Sequence, residues 1–332
     1  MTIEIAVTGG TGFVGRHVLS ALHDRGLGAR VLARQPAALR DGQGNWEIIE
    51  GDLHSQTALD QLVAGARTVI HIAGVTAAMN RDEFHKHNAT ASEHLAGLAA
   101  AAGIERFILV SSLAARAPHL SDYAASKNAA EDAITRLDTQ MARIIVRPPA
   151  VYGPGDQATL PLFQQLSRRH GFIPGTPTGR FSLIHAGDLA QALISLTDDQ
   201  TPAGTYDLDD ATPGGYGWPE IADIAGAVTG QPPRLHFLPR PIVSAAATLA
   251  QLKARLTGRP EILGPGKVNE LFHPDWVADS TQLMAASTWR PAIGFREGFA
   301  TTLDWYRAHG QLPATARPTT SQSNSEPGDT TT

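Results

Sequence analysis

The chain has 332 residues, of which 42% are hydrophobic and 18% are charged, and its formal net charge is −5. This length can bury a core of one or two domains, and the acidic balance gives no reason to expect a nucleic-acid partner. The absence of cysteine excludes disulfides and cysteine-ligated metals, and the thirteen histidines show no metal-ligand spacing, so we predict no metal site. The first strand pattern begins at Ile3 and no apolar run is long enough to span a membrane, so we expect a cytoplasmic protein.

The first motif is a glycine-rich segment near the start of the chain. It follows an apolar run, residues 3–7, that predicts a short buried strand. Residues 8–15 read T-G-G-T-G-F-V-G and fit both T-G-x-x-G-x-x-G and G-x-G-x-x-G, and apolar residues at helical spacing follow. Such glycines permit a tight turn from strand to helix and let a pyrophosphate approach the helix N-terminus. The segment predicts a dinucleotide site with the binding residues Gly9, Gly12, Phe13, Val14 and Gly15.

Strand and helix patterns alternate through the first half of the chain. Apolar runs predict strands over residues 29–33, 46–50, 68–72, 106–110 and 143–146, and helical patterns cover residues 83–102 and 123–137. This alternation indicates an α/β fold, a Rossmann-type doubly wound parallel sheet with helices on both faces. Because ligands of such sheets bind at the carboxyl ends of the strands, we expect the functional residues to lie at that edge.

The residue after the second strand bears on the choice of cofactor. An NAD site usually has Asp or Glu there, about 20 residues beyond the glycines, to hold the ribose 2′-hydroxyl. This chain has Arg34 instead, and a guanidinium suits a 2′-phosphate. The pattern favours NADP(H) and leaves NAD(H) open. The alternative for Arg34 is a solvated surface arginine.

The ends of the third and fourth strands add four candidates for cofactor binding. Asp52 and Leu53 follow the third strand. Asp52 either accepts a hydrogen bond from the adenine amino group or serves as a helix N-cap or turn carboxylate. Ala73 and Gly74 follow the fourth strand, where a glycine would let the backbone approach the cofactor ribose.

The residues that suggest chemistry come after the fifth strand. Ser111 and Ser112 end that strand, and Tyr123 and Lys127 lie four residues apart, on one face of a predicted helix. An ammonium near a phenol lowers the phenol's pKa, and a serine hydroxyl beside it can orient a substrate oxygen. Alone, Y-x-x-x-K is also frequent on plain solvated helices. Proton transfer by Tyr123 is the functional interpretation of the pattern.

Together these motifs resemble the short-chain dehydrogenase/reductase superfamily. Residues 147–156 (R-P-P-A-V-Y-G-P-G-D) and 183–190 (L-I-H-A-G-D-L-A) resemble its extended branch, the NAD-dependent epimerase/dehydratase type. The resemblance extends over roughly residues 3–310. It is nearest to the 3-beta-hydroxysteroid-dehydrogenase-like and dihydroflavonol-reductase-like members.

The resemblance implies roles for particular residues. Tyr123 would be the general acid/base, and Lys127 would hold the nicotinamide ribose and lower the tyrosine pKa. A serine would polarise the substrate oxygen, and Ser112 matches that position better than Ser111. Asn88 falls where the family has an asparagine that orders a proton-relay water; the alternative is a buried helix-kink or capping residue. The interval from Ser112 to Tyr123 is shorter than in most extended members.

The same resemblance implies a role for Pro148 and a division of the chain into domains. Pro148 follows the sixth strand and would cover the nicotinamide carboxamide, or else form a structural turn. Residues 1–152 would form the NADP-binding Rossmann domain, with the chain crossing between domains, and residues 153–312 mainly the smaller C-terminal α/β substrate-binding part. That part has predicted helices over 160–169 and 187–196 and strands over 181–184 and 205–208. We expect residues 313–332, rich in Thr, Ser and Pro, to be a disordered tail.

Residues 241–256 form a broad apolar helical face with basic residues around it: Arg240, Lys253, Arg255 and Arg259. One interpretation is a lid helix packed on the substrate part or on a homodimer partner. The other is the wall of an apolar substrate pocket, or a peripheral membrane contact.

The combined interpretation is an NADP(H)-dependent oxidoreductase that interconverts a secondary alcohol and a ketone on a small, apolar molecule. One alternative is a nucleotide-sugar epimerase or dehydratase with tightly bound NAD. Its substrate diphosphate would need cations, for which Arg168, Arg169, Arg180 and Arg234 are candidates. A second alternative is a non-catalytic cofactor-binding subunit or sensor.

Overall fold

The computed structural model describes residues 3–40, 44–197 and 200–313. Its strands are β1 Ile5–Thr8, β2 Ala29–Ala33, β3 Trp46–Glu50, β4 Thr68–His71, β5 Arg106–Val110, β6 Ala142–Arg147, β7 Ala150–Tyr152, β8 His170–Pro174, β9 Arg180–Phe181, β10 Leu183–His185, β11 Gly204–Asp207, β12 Tyr216–Gly217, β13 Arg234–Leu238 and β14 Asp275–Trp276. Its α-helices are α1 Phe13–Asp24, α2 Ala37–Arg40, α3 Gln56–Val63, α4 Arg81–Phe84, α5 Ala91–Ala101, α6 Asp122–Arg136, α7 Leu160–Leu166, α8 Ala186–Ser195, α9 Trp218–Thr229, α10 Arg240–Thr257, α11 Pro265–Leu271, α12 Thr281–Ala286 and α13 Phe295–Ala308.

Seven strands form one parallel sheet in the order β11-β6-β5-β4-β1-β2-β3. The strand order reverses between β1 and β4, which pair directly, with Thr8 opposite His71. In a doubly wound sheet this reversal opens a crevice at the carboxyl ends of the two strands. The glycine-rich segment leaves β1 at that point. The arrangement confirms the predicted α/β fold of Rossmann type.

The sheet is buried on both faces, which is why its strands read as continuous apolar runs rather than alternating ones. One core cluster contains Val18 and Leu22 of α1 and Leu189 and Leu193 of α8. The other contains residues of α3, α5 and α6, among them Leu95. The helices therefore hold the sheet rigid from two sides and fix the positions of its strand ends.

Four predicted elements differ from the structure. The helix predicted over 83–102 is divided into α4, a π-helical turn and α5, and the strand predicted over 181–184 is divided into β9 and β10. The strand predicted over 205–208 was assigned to the substrate part, but β11 pairs in parallel with β6 and is the seventh strand of the large sheet. The helical connection that a parallel edge strand needs is α8, which packs on the same face as α1. The helix predicted over 160–169 ends at Leu166, and β8 begins at His170.

The remaining elements form smaller units. A three-stranded sheet has the order β12-β9-β14, and two parallel pairs join β10 with β7 and β13 with β8. Phe163, Phe299 and Tyr306 lie in a separate core cluster of this region. The division at residue 152 stays a prediction, and residues 314–332 of the predicted tail lie outside the described residues. Among the described helices, none is both long enough and apolar enough to cross a bilayer.

Candidate active site

The glycine-rich turn packs closely against the end of β4. Gly9 has a φ of +76°, and a Cβ there would lie 2.7 Å from the backbone nitrogen of Ala73. A Cβ on Gly15 would lie 2.1 Å from the carbonyl oxygen of Gly9. Neither position can take a side chain without moving the backbone. Gly9 and Gly15 therefore pack against each other within the glycine-rich turn, and Gly9 also packs against Ala73, which follows β4, at the sheet crevice.

The N-terminus of α1 has the features of an anion site. Gly12 is the N-cap residue, makes no side-chain capping bond, and is followed by a first turn without acids. The first-turn N–H groups, which include those of Phe13, Val14 and Gly15, and the positive end of the helix dipole suit a pyrophosphate. Nε2 of His17 lies 2.9 Å from the carbonyl oxygen of Pro154, so the loop after β7 lies beside this turn.

Arg34 is exposed just beyond β2. Arg34 lies near His87, whose pKa is lowered first by burial and then by His54, Lys86 and Arg34, while the Glu83 carboxylate raises it. Nε2 of His54 lies 3.4 Å from Nδ1 of His87. Arg34, Lys86, His54 and His87 form a surface, which we call the Arg34 cluster, where the guanidinium and the ammonium offer positive charge to a phosphate monoester beside the Glu83 carboxylate.

Asp52 serves as a turn carboxylate in this structure. Its Oδ1 accepts a hydrogen bond of 2.9 Å from the backbone N–H of His54, as in an Asx turn. The N-cap of α3 is Ser55 instead. Leu53 packs against the core cluster beneath α3. Asp52 and Leu53 thus shape the strand end, and their contact with an adenine stays a prediction.

Tyr123 and Lys127 project from the first turns of α6, which Ser121 caps by accepting a hydrogen bond from Ala124 N–H. The Lys127 ammonium is buried and donates a 3.0 Å hydrogen bond to the carbonyl of Val110, at the end of β5. Burial lowers the pKa of Lys127 to about 8, against the effect of the Glu131 carboxylate. The ammonium is thereby held at the carboxyl end of the sheet and remains largely protonated at neutral pH.

The pKa of Tyr123 shifts in the direction opposite to the expected one. Burial raises the pKa of the phenol, a hydrogen bond with Ser112 lowers it and the Glu270 carboxylate raises it, and together they give a pKa of about 12. Loss of water around the phenolate is the largest cause, and Lys127, whose ammonium is bound to the Val110 carbonyl, is not among the groups that shift this pKa. Tyr123 is therefore fully protonated at neutral pH, the state needed to donate a proton.

The two serines at the end of β5 have separate partners. The buried Ser111 hydroxyl donates to Glu131, whose carboxylate also accepts hydrogen bonds from Arg147. Ser112 begins a short 3₁₀ turn, Leu113–Arg116, and its oxygen accepts from the Ala114 N–H at 3.2 Å. Ser111 thus belongs to a buried ion-pair network, and Ser112 is the serine beside the Tyr123 phenol.

Asn88 lies in a π-helical turn, His85–Thr90, that joins α4 to α5. Its Oδ1 accepts from the Val75 N–H at 2.8 Å, and its Nδ2 donates to the Val75 carbonyl at 3.0 Å and to Ser126 Oγ at 2.9 Å. A Cβ on Gly74 would lie 3.0 Å from Asn88 Oδ1 and 3.2 Å from Lys127 Nζ. Asn88 therefore ties the π-helical turn to Val75, next to Gly74, and to Ser126 of α6.

His71 was not singled out in the sequence, although it ends an otherwise apolar β4. Its ring is fully buried, with Nδ1 2.6 Å from Thr8 Oγ1 and Nε2 2.8 Å from Ser92 Oγ. Ser92 in turn donates to the carbonyl of Asn88. Burial lowers the pKa of His71 to about 3, and the charge of Lys127 adds to this. A neutral imidazole thus links the start of the glycine turn to the π-helical turn.

A second group missed from the sequence reaches the site from the C-terminal part. Glu270 of α11 is buried and accepts a hydrogen bond from Ser121, at the start of α6. The Asn269 side chain donates to the Leu120 carbonyl at 2.9 Å, and a Cβ on Gly266 would lie 2.7 Å from that of Ser121. No local pattern could have linked residues so distant in the chain.

The later motifs hold the site in place. The Pro148 carbonyl accepts a 2.8 Å hydrogen bond from the Leu113 N–H, which fixes the end of β6 next to Ser112. In the 183–190 motif, His185 caps α8 and Asp188 accepts from the N–H groups of Ala292 and Ile293.

Arg180, a candidate for binding a diphosphate, donates hydrogen bonds to the carbonyls of Gly214 and Gly215.

Comparisons with known proteins identify the family of the chain. The model of the NAD dependent epimerase/dehydratase family matches residues 5–208. The chain is 43% identical over 313 residues to a ceramide reductase from Caulobacter vibrioides, covering 93% of this chain and 96% of that protein. It is 31% identical over 231 residues to a 4-hydroxy-2-methyl-3-oxo-4-farnesyl-3,4-dihydroquinoline-1-oxide ketoreductase from Stigmatella aurantiaca, covering 62% and 68% of the two chains.

The fold is also that of a solved structure. MoeE5, in complex with UDP-glucuronic acid and NAD, superposes with a TM-score of 0.70 at 22% identity, over 92% of this chain and 99% of that one. At this identity the likeness establishes the fold alone. From the family match and the relatives, the chain belongs to the NAD dependent epimerase/dehydratase family and is an NAD(P)-dependent enzyme of the short-chain dehydrogenase/reductase type.

Proposed function

We propose that this enzyme interconverts a ketone and a secondary alcohol on an apolar, lipid-like molecule, with NADP(H) as the cosubstrate and Tyr123 as the general acid/base. The observation that carries the proposal is the convergence of Tyr123, Ser112 and Lys127 beside Asn88 and Gly74, at the carboxyl edge of the sheet. The glycine turn and the uncapped α1 offer a dinucleotide its binding surface at the same edge.

Each residue of this group has a task in ketone reduction. The bound nicotinamide supplies the hydride. Tyr123, protonated because its pKa is raised, donates its proton to the carbonyl oxygen as negative charge develops there. Ser112 orients that oxygen by a hydrogen bond, and Lys127 contributes a fixed positive charge and a contact for the nicotinamide ribose. Asn88 keeps Gly74 and Val75 in register with Lys127.

The proposed preference for NADP(H) rests on the Arg34 cluster. A 2′-phosphate beyond β2 would meet Arg34 together with His54, His87 and Lys86. A 2′-hydroxyl would gain little from these side chains, and the residue directly after β2 is Arg34 rather than an acid that could receive it. NAD(H) remains the alternative cosubstrate, and direct titration distinguishes the two.

The proposed substrate class follows from the relatives. A ceramide reductase that is 43% identical over nearly the whole chain suggests a ketone on a long-chain amide lipid, and the ketoreductase relative acts on a farnesylated ring compound. We therefore propose an N-acylated long-chain amino ketone, the ketone counterpart of a ceramide, as the substrate.

A nucleotide-sugar epimerase is the second candidate. MoeE5, which has the same fold, was solved with UDP-glucuronic acid and NAD bound. Arg180, one of the cations that such a substrate would need, is already engaged by two backbone carbonyls and by Glu220. Arg168, Arg169 and Arg234 are exposed, so the preference for the keto-lipid substrate rests on the ceramide reductase relative.

The test begins with the absorbance of the purified protein, which reveals any cofactor retained from expression, and continues with titrations of NADPH and NADH. Tight NADPH binding to cofactor-free protein, followed by NADPH oxidation with the keto-lipid, supports the proposal. Retained NAD that survives dialysis, with interconversion of a UDP-sugar and its epimer, would assign the epimerase function instead.

A further inference from the structure

The helix α10 presents its large apolar side chains outward. It is 18 residues long, which corresponds to about 27 Å. Four residues form what we call the outer face of α10, with the exposed fraction of each in parentheses: Ile242 (58%), Leu249 (67%), Leu252 (53%) and Leu256 (80%). Spacings of seven, three and four residues place these side chains on one side of the helix.

The opposite side of the helix carries the protein contact. Val243, Ala247 and Ala254 are buried there, and the first two pack with Val268 of α11 in a small core cluster. A helix on the surface of a protein in water normally has this pattern reversed, with large apolar residues inward and polar residues outward. The outer face of α10 is therefore built for an apolar environment outside the protein.

The charge around this face identifies the environment. Residues 234–260 contain five basic residues and no acid, although the whole chain has a net charge of −5. Lys253 and Arg255 flank the row of leucines on its two sides by helical spacing, and Arg259 follows the helix end; all three are exposed. Lys253 also forms an ion pair with Glu261. Long basic side chains beside an apolar row suit an interface where lipid tails lie below anionic headgroups.

We propose that the outer face of α10 rests on the surface of an anionic phospholipid bilayer, with its leucines among the acyl chains and Arg255 and Arg259 at the headgroups. The helix lies in the plane of the interface, since its inner side is packed on α11. This inference stands on the exposed residues and does not depend on the proposed substrate. α11 also carries Glu270, which contacts the start of the Tyr123 helix, so docking would bring the site close to a membrane-held lipid.

The experiment is vesicle flotation of the full chain. Vesicles of phosphatidylcholine alone are compared with vesicles that contain about one third phosphatidylglycerol, the anionic component that basic side chains recognise. We expect binding to the anionic vesicles only, and we expect about 0.5 M salt to weaken it. The double variant Leu252→Ser/Leu256→Ser should bind at least roughly tenfold more weakly, because two leucines lose their acyl-chain contact.

Two further variants test the contribution of the basic residues to vesicle binding and the specificity of the leucine effect. Arg255→Gln/Arg259→Gln should weaken binding to anionic vesicles roughly fivefold for each charge removed. Leu27→Ser, an equally apolar exposed site between α1 and β2, should leave binding unchanged. All variants should keep the melting temperature and the NADPH affinity of the parent.

Equal flotation of the parent and the Leu252→Ser/Leu256→Ser variant would overturn the proposal. So would absence of binding to anionic vesicles together with a dimer, seen by analytical ultracentrifugation, that the same variant dissociates. That second result would assign the outer face of α10 to another copy of the chain.

Discussion

The glycine-rich edge of the large sheet and the C-terminal region around α10 and α11 contribute to the site in different ways. At the sheet edge, function depends on backbone positions, such as Gly9 and Gly15, where an added Cβ has no room. The C-terminal region contributes through single side chains, as Glu270 does at Ser121, and leaves a whole apolar helix face exposed. We propose that the first region positions the cofactor and that the second selects the substrate and the environment. Predicted effects of substitution should follow this division.

The largest effect should come from the proton donor. Tyr123→Phe removes the hydroxyl and keeps the ring that packs near Phe84. Turnover should fall by roughly 10²–10⁴-fold, the usual contribution of general acid catalysis, while NADPH affinity stays within a few-fold. Steady-state kinetics and a fluorescence titration measure the two quantities. Unchanged turnover would remove Tyr123 from the proposed mechanism.

The next largest effect should come from the backbone turn. Gly15→Ala places a methyl group 2.1 Å from the Gly9 carbonyl oxygen, so the turn must open. We expect a loss of about 2 kcal/mol or more in the free energy of unfolding and a large loss of cofactor affinity.

A matched glycine provides the control for this turn. Gly97 lies within α5 with no neighbouring atom within 4 Å of an added Cβ, so Gly97→Ala should stabilise the protein by up to about 1 kcal/mol. Chemical denaturation of the two variants compares them. Equal stability of both would show that the turn is not closely fitted.

The same division explains what the sequence could predict. The strands around the crevice and the positions of Tyr123 and Lys127 follow from short-range patterns, because each combines a local apolar run with a nearby polar motif. β11 was assigned to the wrong part, since its pairing with β6 depends on a long connection through α8. Glu270 gave no signal at all, because its contact with Ser121 joins segments 149 residues apart.

The pKa of Tyr123 shows a further limit of sequence reasoning. The spacing of Tyr123 and Lys127 suggests a depressed phenol pKa, yet burial and Glu270 raise it to about 12. Desolvation depends on everything packed around the ring, which no motif records. Similarly, only the structure separates Ser111, bound to Glu131, from Ser112.

A substitution at Arg34 tests whether the sheet edge also determines the preference for NADPH over NADH. Arg34→Asp replaces a group that suits a 2′-phosphate with one that suits a 2′-hydroxyl, so the ratio of NADPH to NADH affinity should fall roughly tenfold to hundredfold. Arg136→Asp makes the same charge change at the far end of α6 and should leave the ratio unchanged. If Arg34→Asp also leaves it unchanged, Arg34 does not contact the phosphate.

The smallest effect should come from Glu270, whose carboxylate raises the pKa of Tyr123 from the C-terminal region. Glu270→Gln removes that negative charge, so the pKa should fall and more phenolate should be present at any pH below it. Alcohol oxidation needs the phenolate as base, so the variant should oxidise the alcohol a few-fold faster than the parent at each pH from about 6 to 9. In this range, well below a pKa near 12, the phenolate fraction of both proteins increases about tenfold per pH unit. Ketone reduction, which uses the protonated phenol, should stay constant.

The control for Glu270 is its ion-pair partner. Lys267→Met removes the 2.8 Å ion pair but keeps the carboxylate, so it should not raise the oxidation rate. An equal rise in both variants would mean that loosening of α11, and not the charge on Glu270, controls Tyr123. A rise in Glu270→Gln alone would make the C-terminal region part of the electrostatics of the proton donor, and the two regions would then share one function.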